Sequence, residues 1–151
     1  MAQITPKEFK VYYEKVLHPL HILVRFANAS TSKMSVTISV KGIIISGELV
    51  SLREFHDGMT DLMFNSLEES GNKDEDTKSI RDIVQQMNVY EDKEYQDLVN
   101  SYICIKDPLY VMGGGSRLKS PKQFWVGKIE SVDGFMVGTM QQHTGASQET
   151  E

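Results

Sequence analysis

The chain holds a single cysteine, Cys104, in 151 residues. An internal disulfide is therefore excluded and a cysteine-built zinc site nearly so, a usage that fits a reducing compartment. No apolar run approaches the roughly 20 residues that a bilayer-crossing helix needs, so no membrane span is expected. The opening segment, Met1-Ala2-Gln3-Ile4-Thr5-Pro6-Lys7-Glu8, lacks the basic stretch and apolar core of a secretory signal. The cytoplasm is the expected location. An excess of positive charge is missing as well: 16 basic against 21 acidic side chains give a formal charge of −5. A cationic footprint for a phosphate backbone is thus absent from the molecule as a whole, which counts against nucleic-acid binding.

What is present is the balance of an ordinary globular domain, 40% apolar and 25% charged. That length sustains one domain with a hydrophobic core. Thr5-Pro6-Lys7-Glu8 reads as a helix start, with a capping hydroxyl, a proline at the first position and an acid three residues on. Phe9, Tyr12, Tyr13, Val16, Leu17 and Leu20 follow at helical spacing, and Pro19 should end or kink that helix near His18. Leu20, Ile22, Leu23, Val24 and Phe26 carry a further helical segment up to Asn28.

From Met34 the period changes to two. Met34, Val36, Ile38 and Val40 alternate with polar residues, Gly42 interrupts, and Ile43 to Val50 forms the returning strand of a hairpin. Gly47 in mid-strand implies a bulge, a bend or a close backbone approach. Ser51-Leu52-Arg53-Glu54 has capping-box spacing ahead of Phe55, Met59, Leu62, Met63 and Leu67 at helical intervals, and Gly58 should weaken that helix. Glu68 to Lys78 is polar and acidic, a solvated loop. Ile80, Ile83, Val84 and Met87 indicate another helix, with Tyr95, Leu98 and Val99 continuing it or starting a new turn.

The last third is strand-like. Tyr102 to Lys106 is a short strand that stops at Asp107-Pro108, and Leu109 to Met112 resumes it. Phe124 to Val132 is a long strand, and Asp133-Gly134 is a two-residue turn signal that returns Phe135 to Met140 as its hairpin partner. The sum is an α+β domain. It is either a bent antiparallel sheet or a small Sm- or SH3-like barrel, with about five strands, an N-terminal helical segment and inserted helices. The expected organisation is a helical segment over residues 1–33 packing on a domain over 34–140, with a disordered tail over 141–151.

Few residues suggest chemistry. His18 and His21 share a helical spacing, but a metal site needs three or four ligands and no others stand near in sequence. His56 and Asp57 are neighbours whose side chains point about 100° apart on a helix, so neither orients the other. Cys104, between Ile103 and Ile105, reads as a small buried hydrophobe. No catalytic residue, metal or cofactor is expected. Gly113-Gly114-Gly115-Ser116-Arg117-Leu118-Lys119-Ser120-Pro121-Lys122 is the one local concentration of positive charge. Its glycines could turn N–H groups toward an anion, but it matches no phosphate-binding motif, since a strand follows it. A flexible loop between strands is the favoured reading, with contact to an acidic partner surface as the alternative. Met136 and Met140 share a face of the last strand; core packing is the first reading of them, and an adaptable docking surface the alternative.

Phe124-Trp125-Val126-Gly127-Lys128-Ile129-Glu130-Ser131-Val132-Asp133-Gly134-Phe135 resembles the ending of the gas vesicle accessory protein U (GvpU) family, aromatic-Trp-x-Gly-basic-Ile-x-x-Val-Asp-Gly-Phe. Val40 to Ser51, with Glu54-Phe55 and Asp57-Gly58, is a second similar block, and the resemblance covers roughly residues 34 to 140. It implies a non-enzymatic accessory protein of gas vesicles that binds vesicle proteins or itself. Its expected partner contacts are Arg117, Lys119, Lys122, Trp125, Phe135 and Met136, with Gly42, Gly47, Asp133 and Gly134 as structural turns. The segment Pro6 to Asn28 departs from the pattern. A second expectation from another class is an Sm-like nucleic-acid-binding module using the same cations. A third, a small-ligand pocket near His56 and Asp57, has no motif behind it.

Overall fold

The alternation that begins at Met34 forms the centre of the sheet. A computed structural model of the chain describes residues 5–12, 19–30, 33–71, 78–79, 81–83, 86 and 93–140. Strands β1 (Met34–Val40) and β2 (Ile43–Val50) pair antiparallel from Met34–Leu49 to Val40–Ile43. Lys41 and Gly42 between them have φ of 48° and 83°. That is the two-residue turn whose twist matches the flanking strands. Upstream lie the helices α1 (Pro6–Tyr12) and α2 (Pro19–Ala29). Pro19 opens the second, at the position where its missing N–H costs no hydrogen bond.

Helix α3 (Leu52–Glu69) starts where the sequence places its cap: the Ser51 hydroxyl accepts the Glu54 N–H at 3.0 Å. Asn28 at the end of α2 reinforces it, its side-chain carbonyl accepting the Leu52 N–H at 3.0 Å. Residues 78–79, 81–83 and 86 are helical, and Arg81 lies 4.5 Å above the Phe64 ring. Ile80, Val84 and Met87 of the expected helix lie outside the described residues, as does the tail beyond 140. Lys93–Tyr95 and Gln96–Val99 form two short helical turns leading into the closing strands.

Those closing strands depart from the sequence reading. β3 runs unbroken from Tyr102 to Val111. Asp107-Pro108 does not end it, because the pair sits in a bulge. Between Ser46–Leu109 and Glu48–Lys106, β2 offers only Gly47 while β3 has both Asp107 and Pro108. A bulge is where a strand tolerates a residue without an N–H, and Asp107 takes φ of 52° there. β4 (Arg117–Lys119) and β5 (Phe124–Lys128) both pair antiparallel with β3, at 109–111 and 102–106 respectively. The long hairpin of the last third is thus β3 against β4 and β5.

Asp133-Gly134 is not a hairpin turn, and neither residue has positive φ. β6 (Gly134–Val137) pairs with β1, on the far side of the sheet from β5. Asp133 is an anchor instead. Its N–H donates to Ser39 O, and its carboxylate accepts the Lys41 N–H, both at 2.8 Å. An Asp-Gly pair is a strong local turn signal, yet here its carboxylate clasps the genuine turn at Lys41-Gly42.

The sheet is antiparallel, six-stranded and open, in the order β4-β3-β2-β1-β6 with β5 in line with β4. The barrel alternative is therefore set aside: β6 and the β4–β5 edge do not pair. The bend is real nonetheless. The chain from Lys128 to Gly134 can reach at most about 20 Å, while four strand spacings alone amount to about 19 Å, before any displacement along the strands. Part of that stretch coils as a 3-10 turn, Ile129–Ser131. Only a strongly bent sheet brings the two ends within reach.

One face carries the main core, where Val36, Ile38, Ile45, Leu49, Ile103, Ile105 and Ile129 pack with Leu20, Val24 and Ala27 of α2. The opposite face receives α3. There Phe124 lies against Gly58 and edge-on to Phe55, ring centroids 5.8 Å apart. Lys106 reaches Glu54 at 3.4 Å on the same face. Gly58, a liability to its helix by propensity, is the place where the Phe124 ring fits. The three consecutive isoleucines of β2 are not equally covered: Ile45 is buried, whereas Ile43 is exposed.

Candidate functional site

The cationic segment of the sequence lies at the sheet's outer edge. Met112 and Ser116 close the β3–β4 reversal through Met112 N–H to Ser116 O at 2.9 Å, with Gly114 and Gly115 at φ of 79° and 80°. The Gly115 N–H donates to Met112 O, so this amide serves the turn rather than an anion cradle. β4 then runs back along β3. A four-residue excursion, 120–123, faces the Asp107-Pro108 bulge and is held by Ser120 N–H to Pro108 O and Asp107 N–H to Gln123 O. The Asp107 carboxylate accepts the Lys122 N–H at 2.6 Å, fixing Lys122 at φ of 59°. β5 resumes the ladder.

Register decides which side chains share a face. Leu109–Lys119, Val111–Arg117 and Tyr102–Lys128 are partners, and these residues lie on the α3 side of the sheet. Leu118, opposite Tyr110, and Trp125, opposite Ile105, lie on the core side. Arg117, Leu118, Lys119, Lys122 and Lys128 are exposed. Between Asp107 and Glu130 the chain carries four cations and no acid. None of the four forms an ion pair among the described residues. Among the described residues, no other strand pairs with this edge.

The residues singled out from sequence do not form one surface. Arg117, Lys119 and Lys122 gather on the β4 edge. Trp125 is half-buried against the core, and its indole crowds Gly127, where a Cβ would meet Trp125 Cη2 at 2.5 Å. Phe135 and Met136 belong to β6 at the opposite edge, Phe135 turned to the core and Met136 61% exposed. Met140 is not strand-paired beside Met136. Its N–H donates to the Ser46 hydroxyl at 2.9 Å, and that hydroxyl meets Thr37 Oγ1 in a buried pair. Lys128 and Leu118 were missed by the sequence reading. Their signal was the long interval without an acid in an acidic chain, which runs past the basic decapeptide.

Reactive groups are weak here. Cys104 is 1% exposed, and burial pushes its thiol up to about 12. Burial also lowers the His56 pKa, against the opposing pull of Asp57. His21 lies on α2, whereas His18 falls outside the described residues. Among the described residues, no three His, Cys, Asp or Glu groups gather as metal ligands, and no helix is long and apolar enough to cross a membrane. One buried oxygen of Glu48 has no hydrogen-bond partner there.

The sequence model of one family, described as gas vesicle protein GvpU-like, matches residues 18–140. That span takes in α2, which the resemblance read from the residues alone had left outside. No curated protein and no solved structure matches the chain.

Proposed function

The chain belongs to the gas vesicle protein GvpU-like family, and from that membership we propose a non-enzymatic gas vesicle accessory protein that works through protein contacts in vesicle assembly or organisation. Its place is the cytoplasm, at the vesicles, and its partners are gas vesicle proteins or further copies of itself. The observation that carries this reading is the β4–β5 edge: among the described residues, a strand edge without a further neighbour and with cations in no ion pair, in an otherwise acidic molecule. Uncovered edges invite added strands, and complementary charge selects among partners. Co-sedimentation with purified gas vesicles tests it. The protein is expected in the vesicle fraction, and light scattering of the protein alone reports self-association. Absence of both interactions would remove the reading.

A further inference from the structure

We propose that the edge formed by β4 and β5 accepts an extended, acidic segment of a partner protein as an additional strand of the sheet. The proposal rests on the accessory reading above and names the chemistry of its partner. An edge strand presents N–H and C=O groups to a new neighbour, and strand addition draws its affinity from them. Side-chain pockets at alternate positions then supply selectivity. At this edge the alternation is two-sided. On the α3 side the incoming strand would run beside Arg117 and Lys119 on β4, then Phe124, Val126 and Lys128 on β5; on the core side it would run beside Leu118 and the half-buried Trp125. The fitting segment carries carboxylates at alternate positions beside β4 and again beside Lys128, with apolar side chains between them.

Charge also says what the occupant is not. Two copies of this chain meeting edge to edge would bring Arg117, Lys119, Lys122 and Lys128 against their own counterparts, and like charges opposite each other are destabilising. Lysine on an edge is a known guard against such self-pairing. The guard is selective: what repels a second identical edge attracts an acidic strand.

A synthetic peptide alternating glutamate with valine, titrated against the full chain by fluorescence anisotropy, is the primary probe. Binding is expected, weakening as salt rises. A lysine–valine peptide, and a glutamate–valine peptide N-methylated at alternate residues, are expected not to bind. Equal binding of the N-methylated peptide would overturn the proposal, because charge without strand pairing would then suffice. So would retention of single-stranded RNA with no retention of the peptide. The double charge reversal Arg117→Glu, Lys119→Glu, checked for unchanged Tm, should weaken peptide binding by about tenfold or more, two attractive surface pairs having become repulsive. Hydrogen exchange should slow within residues 117–128 on binding, and unchanged exchange there would also overturn it. In vesicle co-sedimentation the two readings separate. If the native chain sediments and the charge-reversed chain does so equally, the edge is not the docking site although the accessory role stands. If the native chain neither sediments with vesicles nor self-associates, the accessory role falls while the peptide titration still judges the edge.

Discussion

Replacing Gly47 with alanine sets two physical effects against each other. On backbone grounds alone the change should help: Gly47 is not among the positive-φ glycines. Alanine at a position it can adopt without strain stabilises by about 0.4–1 kcal/mol through the unfolded state. The structure predicts the opposite sign. A Cβ at Gly47 would stand 2.6 Å from Ile105 Cγ2 and 2.7 Å from the Lys106 carbonyl oxygen. Ile105 is fully buried, and the carbonyl belongs to the backbone entering the Asp107-Pro108 bulge, so neither has room to retreat. Overpacking of this kind costs about 1–3 kcal/mol. With the upper part of that range and the backbone gain subtracted, the net loss is about 1–2 kcal/mol. For a chain of this length each kcal/mol moves Tm by about 2–4 °C, so Gly47→Ala should lower Tm by about 2–8 °C. Calorimetry and urea unfolding, with the urea midpoint falling and the slope unchanged, measure it. A Tm equal to or above that of the native chain would refute the close packing at the bulge.

Three other perturbations test separate parts of the fold. Gly58→Ala should lower Tm in the native background, because the Phe124 ring occupies the Cβ position, yet raise it in a Phe124→Ala background, where helix propensity acts alone. The same sign in both backgrounds would mean the ring does not rest there. Asp133→Ala should cost about 1 kcal/mol and speed amide exchange at Lys41, while Asp133→Asn, which keeps an acceptor, should cost less. Unchanged exchange at Lys41 would remove the clasp. The Cys104 thiol, buried and pushed up to about 12, should resist a disulfide reagent at pH 8 in the folded chain and react fully in denaturant. Prompt native reaction would contradict its burial.

The candidate edge shows why single residues are poor guides to an interaction surface. Arg117, Lys119 and Trp125 lie close in sequence, which by itself suggests one contact surface. The pleat sends Trp125 to the core side and the two cations to the α3 side. The hairpin expected at Asp133-Gly134 would add Phe135 and Met136 to that surface, but the sheet carries them to its far edge. Lys128, eleven positions from Arg117, shares a face with it because both strands run along β3.

The sequence by itself determined whatever depends on residues a few positions apart. The period-two alternation and Gly42 specified the β1–β2 hairpin, Ser51 and Glu54 the start of α3, and the spacing of Leu20 and Val24 the buried stripe of α2. Tertiary structure alone decided which strands are neighbours. Thr37 and Gly138, 101 positions apart, are joined by a hydrogen bond from the Thr37 hydroxyl, while Asp133-Gly134 forgoes the turn that its composition favours. Turn propensity is worth only a few tenths to about 1 kcal/mol. The burial of Ile129, Phe135 and Val132 against a bent sheet outweighs it. Once that packing places β6 beside β1, the long hairpin of β3 with β4 and β5 is left as the opposite boundary, and the register along it sets Arg117, Lys119 and Lys128 on one face.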